Sequence, residues 1–586
     1  MEQVPGIYIL LISIHGLIRG QNLELGCNAD TGGQTKYVVE LARALGQCPE
    51  VARVDLMTRL IADPAYAEEY AQEIEPLDTA GKVRIVRIEC GGTEYIAKEQ
   101  LWDYLDYFAD NALVYLKQQP YLPHVLHSHY ADAGYVGALL SHQLSIPLIY
   151  TGHSLGRSKR KHLLASGVKA EAIETRYKMS RRIEAEEYAL SVAERVITST
   201  RQEINEQYGL YDYSQVEKMF VIPPGVDLEK FSPATGDELH SPIAQDIQRF
   251  LRDPNKPLIL ALLRPDPRKN ISTLIEAFGE SKDLQVAANL LIVAGNRDNI
   301  HELDSTAEEV LTDLLITVDL YDLYGKIAYP KHHSAEEVGL IYRLAACLGG
   351  VFINPALTEP FGLTLLEAAA SGLPIVATED GGPIDIIHNC NNGYLVNPLD
   401  KADIAEKLLS LLNTKERTTL VENGIKGVKL HYSWQAHAQT YLQLVSSLIS
   451  RSEPLIRLSL PRTAPSLEEV KQRLQQNEQA VNVVFSFGQY LDIIPTRASK
   501  GLALRWYAEQ WDVPLEHILV AGGSGADEDM LRGNTLGVVV ANRHHEELSD
   551  LIDLKDVYFA SRPYAAGILE AIQHYDFFNT CTAPRQ

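Results

Sequence analysis

At 586 residues the chain exceeds what one hydrophobic core supports, so about three domains are expected. With 46% hydrophobic and 22% charged residues it reads as soluble and globular, and no apolar run reaches the roughly 18 residues of a membrane span. A net charge of −24 argues against nucleic acid and anionic membranes as partners, so an anionic ligand needs a local basic cluster. The six cysteines show no CxxC spacing, and Met1-Glu2-Gln3 opens no secretory pattern; a reducing, cytoplasmic setting without structural zinc is expected.

Apolar, strand-sized runs begin at residues 7–14, 54–58, 83–88, 125–129, 148–151, 196–198 and 221–222, with helical patterns such as 35–45 and 104–117 between them. A second series of strands follows at 258–263, 290–294, 327–329, 350–354, 375–377 and 393–396, alternating with helices at 272–278, 335–345, 363–371 and 401–412. Alternation of this kind predicts two parallel, doubly wound α/β domains, joined by a connector over 223–254. A helix is expected from Trp434 to about 450, then a proline-rich linker over 454–465, then a region of βαβ character. The expected divisions are therefore 1–225, 226–434, 435–453 and 454–586.

Four segments carry chemistry. Asp30-Thr31-Gly32-Gly33-Gln34 precedes a helix, where paired glycines let backbone amides approach a phosphate, although the loop also reads as a plain tight turn. His153-Ser154-Leu155-Gly156-Arg157 follows a strand, the end at which open α/β sheets bind ligands. It opens a basic island, with nine Lys or Arg against two Glu between His153 and Arg182, of which two or three are expected to touch ligand. Arg264-Pro265-Asp266-Pro267-Arg268-Lys269-Asn270 places two cations five apart at a strand's end, a clamp for a departing diphosphate or a salt-bridged turn. Glu359-Pro360-Phe361-Gly362-Leu363-Thr364-Leu365-Leu366-Glu367 sets two carboxylates eight apart around a turn that opens a helix. Its amides suit sugar and phosphate oxygens, and its second carboxylate suits ribose hydroxyls. No HExxH, strand-following DxD or GxSxG is present.

Together these residues resemble the retaining glycosyltransferases of GT-B architecture, over about residues 7–448. The strings DTGGQTKYVVELARAL, TGHSLGR, YKMSRRIEAEE, RPDPRKN and FINPALTEPFGLTLLEAA are closest to the sucrose-phosphate synthase family. The resemblance implies an α/β fold of two facing Rossmann-like domains. It assigns Arg264 and Lys269 to the donor diphosphate, Glu359 to the donor glucose, and Glu367 to the ribose, with Gly33, Phe361, Gly362, Leu363 and Thr364 beside them. Gly32, Gly33, Gln34, Lys98, Tyr130, Ser154, Lys159, Arg181 and Arg182 fall on the acceptor side, and His153 near the transferred glucose. The implied reaction moves glucose from UDP-glucose or ADP-glucose to fructose 6-phosphate with retention. It requires no cofactor, magnesium being at most a stimulant, and hands its product to a separate sucrose-phosphate phosphatase.

The last region resembles the late half of that phosphatase, of haloacid-dehalogenase type, with Lys500 matching its phosphate-binding lysine. Gly523 and Ala526 replace the expected Asp and Asn of its metal motif, and no DxDxT lies between 450 and 499. A partial, degenerate domain is expected, and a chain cut within 461–465 should keep transferase activity. Three other readings stand beside the main one. Sucrose synthase using free fructose is opposed by Lys159, Arg181 and Arg182; a bifunctional synthase–phosphatase by the missing nucleophile; a non-catalytic sensor by the intact Arg264, Lys269, Glu359 and Glu367.

Overall fold

The computed structural model describes residues 6–24, 27–28, 30–449, 481–486, 490–495, 499–544 and 548–580. Two compact units result, one of Met1–Thr198, Glu206–Phe220 and Leu442–Gln586, the other of Ser199–Asn205 and Val221–Tyr441.

In the first unit the apolar runs form β1 (Ile7–Ile12), β2 (Val51–Arg59), β3 (Ile74–Pro76), β4 (Val83–Ile88), β5 (Val125–His129), β6 (Leu148–Thr151), β7 (Arg195–Thr198) and β8 (Met219–Val221). Their order is β3-β4-β2-β1-β5-β6-β7-β8. Strand β1 lies at the centre, parallel to β2 and β5, and every residue from Tyr8 to Ile12 is buried, as a strand covered on both faces requires. Edge strand β3 pairs antiparallel with β4. It was not expected: three residues with Pro76 at the end carry no period-two pattern. Helices α1 (Gly33–Gly46), α2 (Leu105–Lys117), α3 (Tyr130–Leu144), α4 (Gly156–Ala165), α5 (Ala170–Tyr177) and α6 (Met179–Val192) also belong to this unit.

The second unit holds β9 (Leu258–Leu262), β10 (Asn289–Val293), β11 (Ile327–Ala328), β12 (Val351–Asn354), β13 (Ile375–Thr378) and β14 (Gly393–Val396), in the order β11-β10-β9-β12-β13-β14. All their pairings are parallel. The expected connector is part of this unit rather than a linker. Val226, Phe231, Ile243, Ala244 and Ile247 are buried in one of its cores, and Pro242–Gln248 is a helix capped by Ser241. Its proline-rich start concealed that apolar content.

Each large sheet reverses its winding once, between β1 and β5 and between β9 and β12. Loops leaving the carboxyl ends of adjacent strands diverge at such a point and leave room for a ligand. The segments singled out from sequence emerge there: Gly32 and Gly33 open the helix after β1, Tyr130 follows β5, Arg264 follows β9, and Glu359 follows β12.

The C-terminal region contributes a hairpin, β15 (Val481–Ser486) and β16 (Tyr490–Pro495), and a parallel sheet of β17 (Leu519–Gly522), β18 (Leu536–Val539) and β19 (Val557–Phe559). Helices Lys500–Gln510 and Tyr564–His574 accompany the three-stranded sheet. The proline-rich stretch 454–465 lies outside the described residues. Among the described residues, no helix is long and apolar enough to cross a membrane.

Candidate active site

In the first unit a pocket of about 270 Å³, its open mouth included, is lined by Lys98, Glu99, Trp102, Tyr130, Asp132, Lys159, Tyr177 and Arg182. Three cations thus meet in one recess of a strongly acidic chain. Arg182 is held from behind: its Nε donates to Glu186 at 2.9 Å, one turn along α6, and its guanidinium lies 4.5 Å from the Tyr130 ring centre. Glu186 is fully buried and also accepts the Gly156 amide at 2.9 Å, fixing the start of α4. Lys98 pairs with Asp30 at 2.5 Å, and Tyr95 donates to the same carboxylate. The Lys159 ammonium sits 4.0 Å from the Tyr177 ring centre, with no salt-bridging carboxylate among the described residues. Burial, then the nearby Arg182 and Lys98, lower its pKa, so a phosphate would relieve a crowding of like charge.

Arg181 departs from its expected place. Its guanidinium donates to Asp103 at 3.1 Å and to the Trp102 carbonyl at 3.2 Å, and it does not line the pocket. Consecutive helical residues point about 100° apart, so Arg181 and Arg182 cannot serve one recess equally. Ser154 is exposed and does not line it either, but its carbonyl accepts from Arg182 at 2.5 Å.

Around the winding reversal, Gln34 donates to Ser13 at 3.1 Å and to the His129 carbonyl at 3.3 Å. A Cβ at Gly32 or Gly33 would meet nothing within 4 Å, so the start of α1 is open to a ligand, with no side chain capping it. His153 takes a positive φ of 55° and Tyr130 one of 80°. The His153 ring is 3.0 Å from His129 Nδ1, and burial, aided by His15, pushes its pKa down to about 3. A neutral His153 can donate or accept a hydrogen bond without adding charge.

In the second unit Lys269 Nζ contacts Glu359 at 2.6 Å, and Asn354 Nδ2 donates to the same oxygen at 2.9 Å. Arg268 turns away to Asp266, whose carboxyl falls to about 2 through that hydrogen bond. The salt-bridged turn therefore exists, but it uses Arg268 and leaves Arg264. The Arg264 side chain is exposed and makes no hydrogen bond or ion pair among the described residues. Asn270, in left-handed conformation, donates to the carbonyls of Pro355 and Pro398 at 3.0 and 2.7 Å, tying three loops beside Lys269. Backbone packs on backbone across the Glu359 turn: the Gly382 amide donates to the Glu359 carbonyl, and a Cβ on Gly381 would come within 2.1 Å of that oxygen. Gly362, at φ 100°, opens the helix Leu363–Ala370, leaving Leu363 exposed and Thr364 half-buried; Phe361 packs against the core. Glu367 accepts from Tyr342 at 3.1 Å.

In the C-terminal region Lys500 contacts Asp527 at 2.5 Å, and the Asp527 carboxylate also accepts the Gly523 and Ser524 amides. One carboxylate oxygen thus caps the turn and the other meets Lys500.

The sucrose-phosphate synthase of Zea mays is 47% identical to this chain over 508 residues, covering 75% of this chain and 47% of that one. A probable sucrose-phosphate synthase of Solanum tuberosum is 47% identical over 510 residues, covering 77% and 48%. Residues 1–228 match the family described as sucrose synthase first GT-B domain, 243–427 glycosyl transferases group 1, and 459–576 sucrose-6F-phosphate phosphohydrolase. The chain has the GT-B fold and is a homologue of these sucrose-phosphate synthases. It spans about half the length of the curated relatives it matches. The solved sucrose-phosphate synthase from Thermosynechococcus elongatus is similar at 26% identity and a TM-score of 0.54, over 76% of this chain and all of that one. The catalytic domain of starch synthase IV from Arabidopsis thaliana, at 17% identity, 0.51, and coverage of 76% and 100%, shares the fold.

The residues that sequence reading passed over are the supporting ones. The spacing of Glu186, four residues after Arg182, was a signal that could have found it, since that spacing suits an i,i+4 pair on the helix Met179–Val192. Asp30, Asn270 and Asn354 gave no such signal, because their partners lie 68, 85 and 5 residues away on other loops or turns.

Proposed function

We propose that the chain is a sucrose-phosphate synthase, transferring glucose from UDP-glucose, or from ADP-glucose, to the hydroxyl of fructose 6-phosphate. The observation that carries this reading is the recess with Lys98, Lys159 and Arg182 around an aromatic floor, which fits a sugar monophosphate and has surplus charge for free fructose. Arg264 and Lys269 would hold the nucleoside diphosphate as it departs. The acceptor oxygen bonds to the anomeric carbon on the face from which the diphosphate oxygen leaves, and that oxygen takes the acceptor's proton. Glu359 would orient the glucose, Glu367 the ribose, and neutral His153 a glucose hydroxyl. The product is sucrose 6-phosphate, left for a separate phosphatase, because the sequence carries no DxDxT nucleophile between 450 and 499 and has Gly523 in place of a metal-binding carboxylate.

The test offers the purified chain each donor with fructose and with fructose 6-phosphate in parallel. Transfer to fructose 6-phosphate alone is expected, and turnover confined to free fructose would overturn the reading. We also propose that no cofactor is required, since two side chains supply the charge at the diphosphate. Activity should survive excess EDTA, and complete loss restored by magnesium would refute that part.

A further inference from the structure

The degenerate C-terminal region is docked on the helix that leads out of the acceptor recess. Helix α2 starts at Leu105, directly after the turn Lys98–Tyr104, which brings Lys98, Glu99 and Trp102 to the recess wall. Two turns into α2, Asp110 is 1% exposed, and both its oxygens are taken by the C-terminal region. Arg505 Nε donates to Oδ1 at 2.7 Å, Arg505 Nη2 to Oδ2 at 3.2 Å, and the Asn534 amide to Oδ2 at 2.7 Å. Asn534 Nδ2 then reaches Asn111 at 2.8 Å.

The surface is shaped for this contact. Gly533 has φ 85°, and a Cβ there would fall 2.2 Å from Asp110 Oδ2, so the turn closes only with glycine. Arg505 also donates to the Arg532 carbonyl at 2.9 Å, binding the helix Lys500–Gln510 to the turn before β18. One turn before Asp110, on the same face of α2, Asp106 accepts from Tyr135 of α3 at 3.1 Å and lies near Arg505 and Arg532. That face of α2 therefore meets both α3 and the C-terminal region.

We infer that Arg505 and Asn534 are positioning residues for the acceptor recess, and that the phosphatase-like region serves as its brace. The inference rests on reading that recess as the sugar-phosphate site. A buried ion pair adds little net stability, but loss of one member leaves a buried charge that must find water. Without Arg505, the carboxylate of Asp110 recovers hydration by movement of α2 or of the C-terminal region; on this proposal α2 yields, and the turn carrying Lys98 shifts with it. This reverses the expectation that a chain cut within 461–465 transfers normally; that cut itself falls outside the described residues. Such a truncation should lose acceptor affinity.

The full-length chain carrying Arg505→Met is compared with wild type and with Arg505→Lys. The KM for fructose 6-phosphate should rise about 3- to 10-fold, with the donor KM and kcat little changed, and Arg505→Lys should restore most of the difference. Hydrogen exchange in residues 98–117 should quicken in Arg505→Met while α1 keeps its protection. If that variant does not fold, Asn534→Ala gives a milder test of the same docking, since it keeps the backbone amide's hydrogen bond to Asp110 and removes only the side-chain bond to Asn111. An unchanged acceptor KM, or equal rises for donor and acceptor with general loss of protection, would overturn the brace. Should wild type fail to use fructose 6-phosphate, the activity reading falls, while the exchange difference still decides the role of Arg505.

Discussion

Lys159 and Arg181 separate the two things a basic residue does near a sugar phosphate. Lys159 has no salt-bridging carboxylate among the described residues, so Lys159→Ala would remove the proposed ligand contact without breaking an ion pair there. One lost charge-assisted hydrogen bond is worth roughly 1.5–3 kcal/mol, so the KM for fructose 6-phosphate should rise about 10- to 150-fold with the donor KM unchanged. Arg181→Ala should do less, since that side chain already serves Asp103 and the Trp102 carbonyl. Steady-state kinetics on both variants check the order, and an equal rise for both substrates in Lys159→Ala would remove the phosphate assignment. Lys269 is proposed for the chemical step instead. On that reading its contact with Glu359 loosens as the diphosphate charge grows, so Lys269→Ala should lower kcat by at least about 100-fold. Near-normal turnover would show that Arg264 suffices alone.

At the scale of elements, the fit between neighbouring loops sets how far the site tolerates change. Gly381 has φ 101°, and its missing Cβ is what lets the loop after β13 lie against the Glu359 carbonyl. Gly381→Ala adds a left-handed penalty of about 1–2 kcal/mol and an overlap that only movement relieves. Donor affinity should fall and thermal stability with it, as calorimetry with and without UDP would record; an unaltered donor Kd would mean that the turn absorbs the methyl group. Sequence made every strand of the two large sheets except edge strand β3, and most of their helices, readable, because buried parallel strands are short apolar runs with polar breaks. It made the Arg264, Lys269 and Glu359 positions readable because each follows such a strand. It could not reveal that Arg181 turns outward, or that Asn270 ties Pro355 and Pro398, since rotamer choice and long-range pairing depend on packing. The 226–251 stretch misled for the opposite reason, its proline-rich opening masking Phe231, Ile243 and Ile247.

Over the whole molecule, buried titratable groups set an acid limit. His153 and His437 fall from 6.5 to about 3 and about 4 because burial disfavours their cations. The unfolded chain therefore takes up protons below pH 6.5 that the folded chain refuses, and stability declines as pH falls toward those values. Glu203 has the opposite sign: burial raises it to about 7, so its contribution is present below 4.5 and lost as pH rises through 7. His437→Gln should flatten the acid decline by up to about 3 kcal/mol, and Glu203→Gln should stabilise the chain at pH 8 more than at pH 5. Denaturant melts across pH check both, and parallel curves for wild type and variants would refute the assignment. The left-handed backbones of Tyr130 and His153 carry a different consequence, for anyone breeding a hardier version of this protein. Glycine at either position would release about 1–2 kcal/mol of conformational cost, but at Tyr130 the loss of a buried ring costs more, about 3–5 kcal/mol. A screen rewarding heat resistance alone would therefore keep the ring beneath Arg182, and only at His153, beside His129, could durability and the proposed site pull apart.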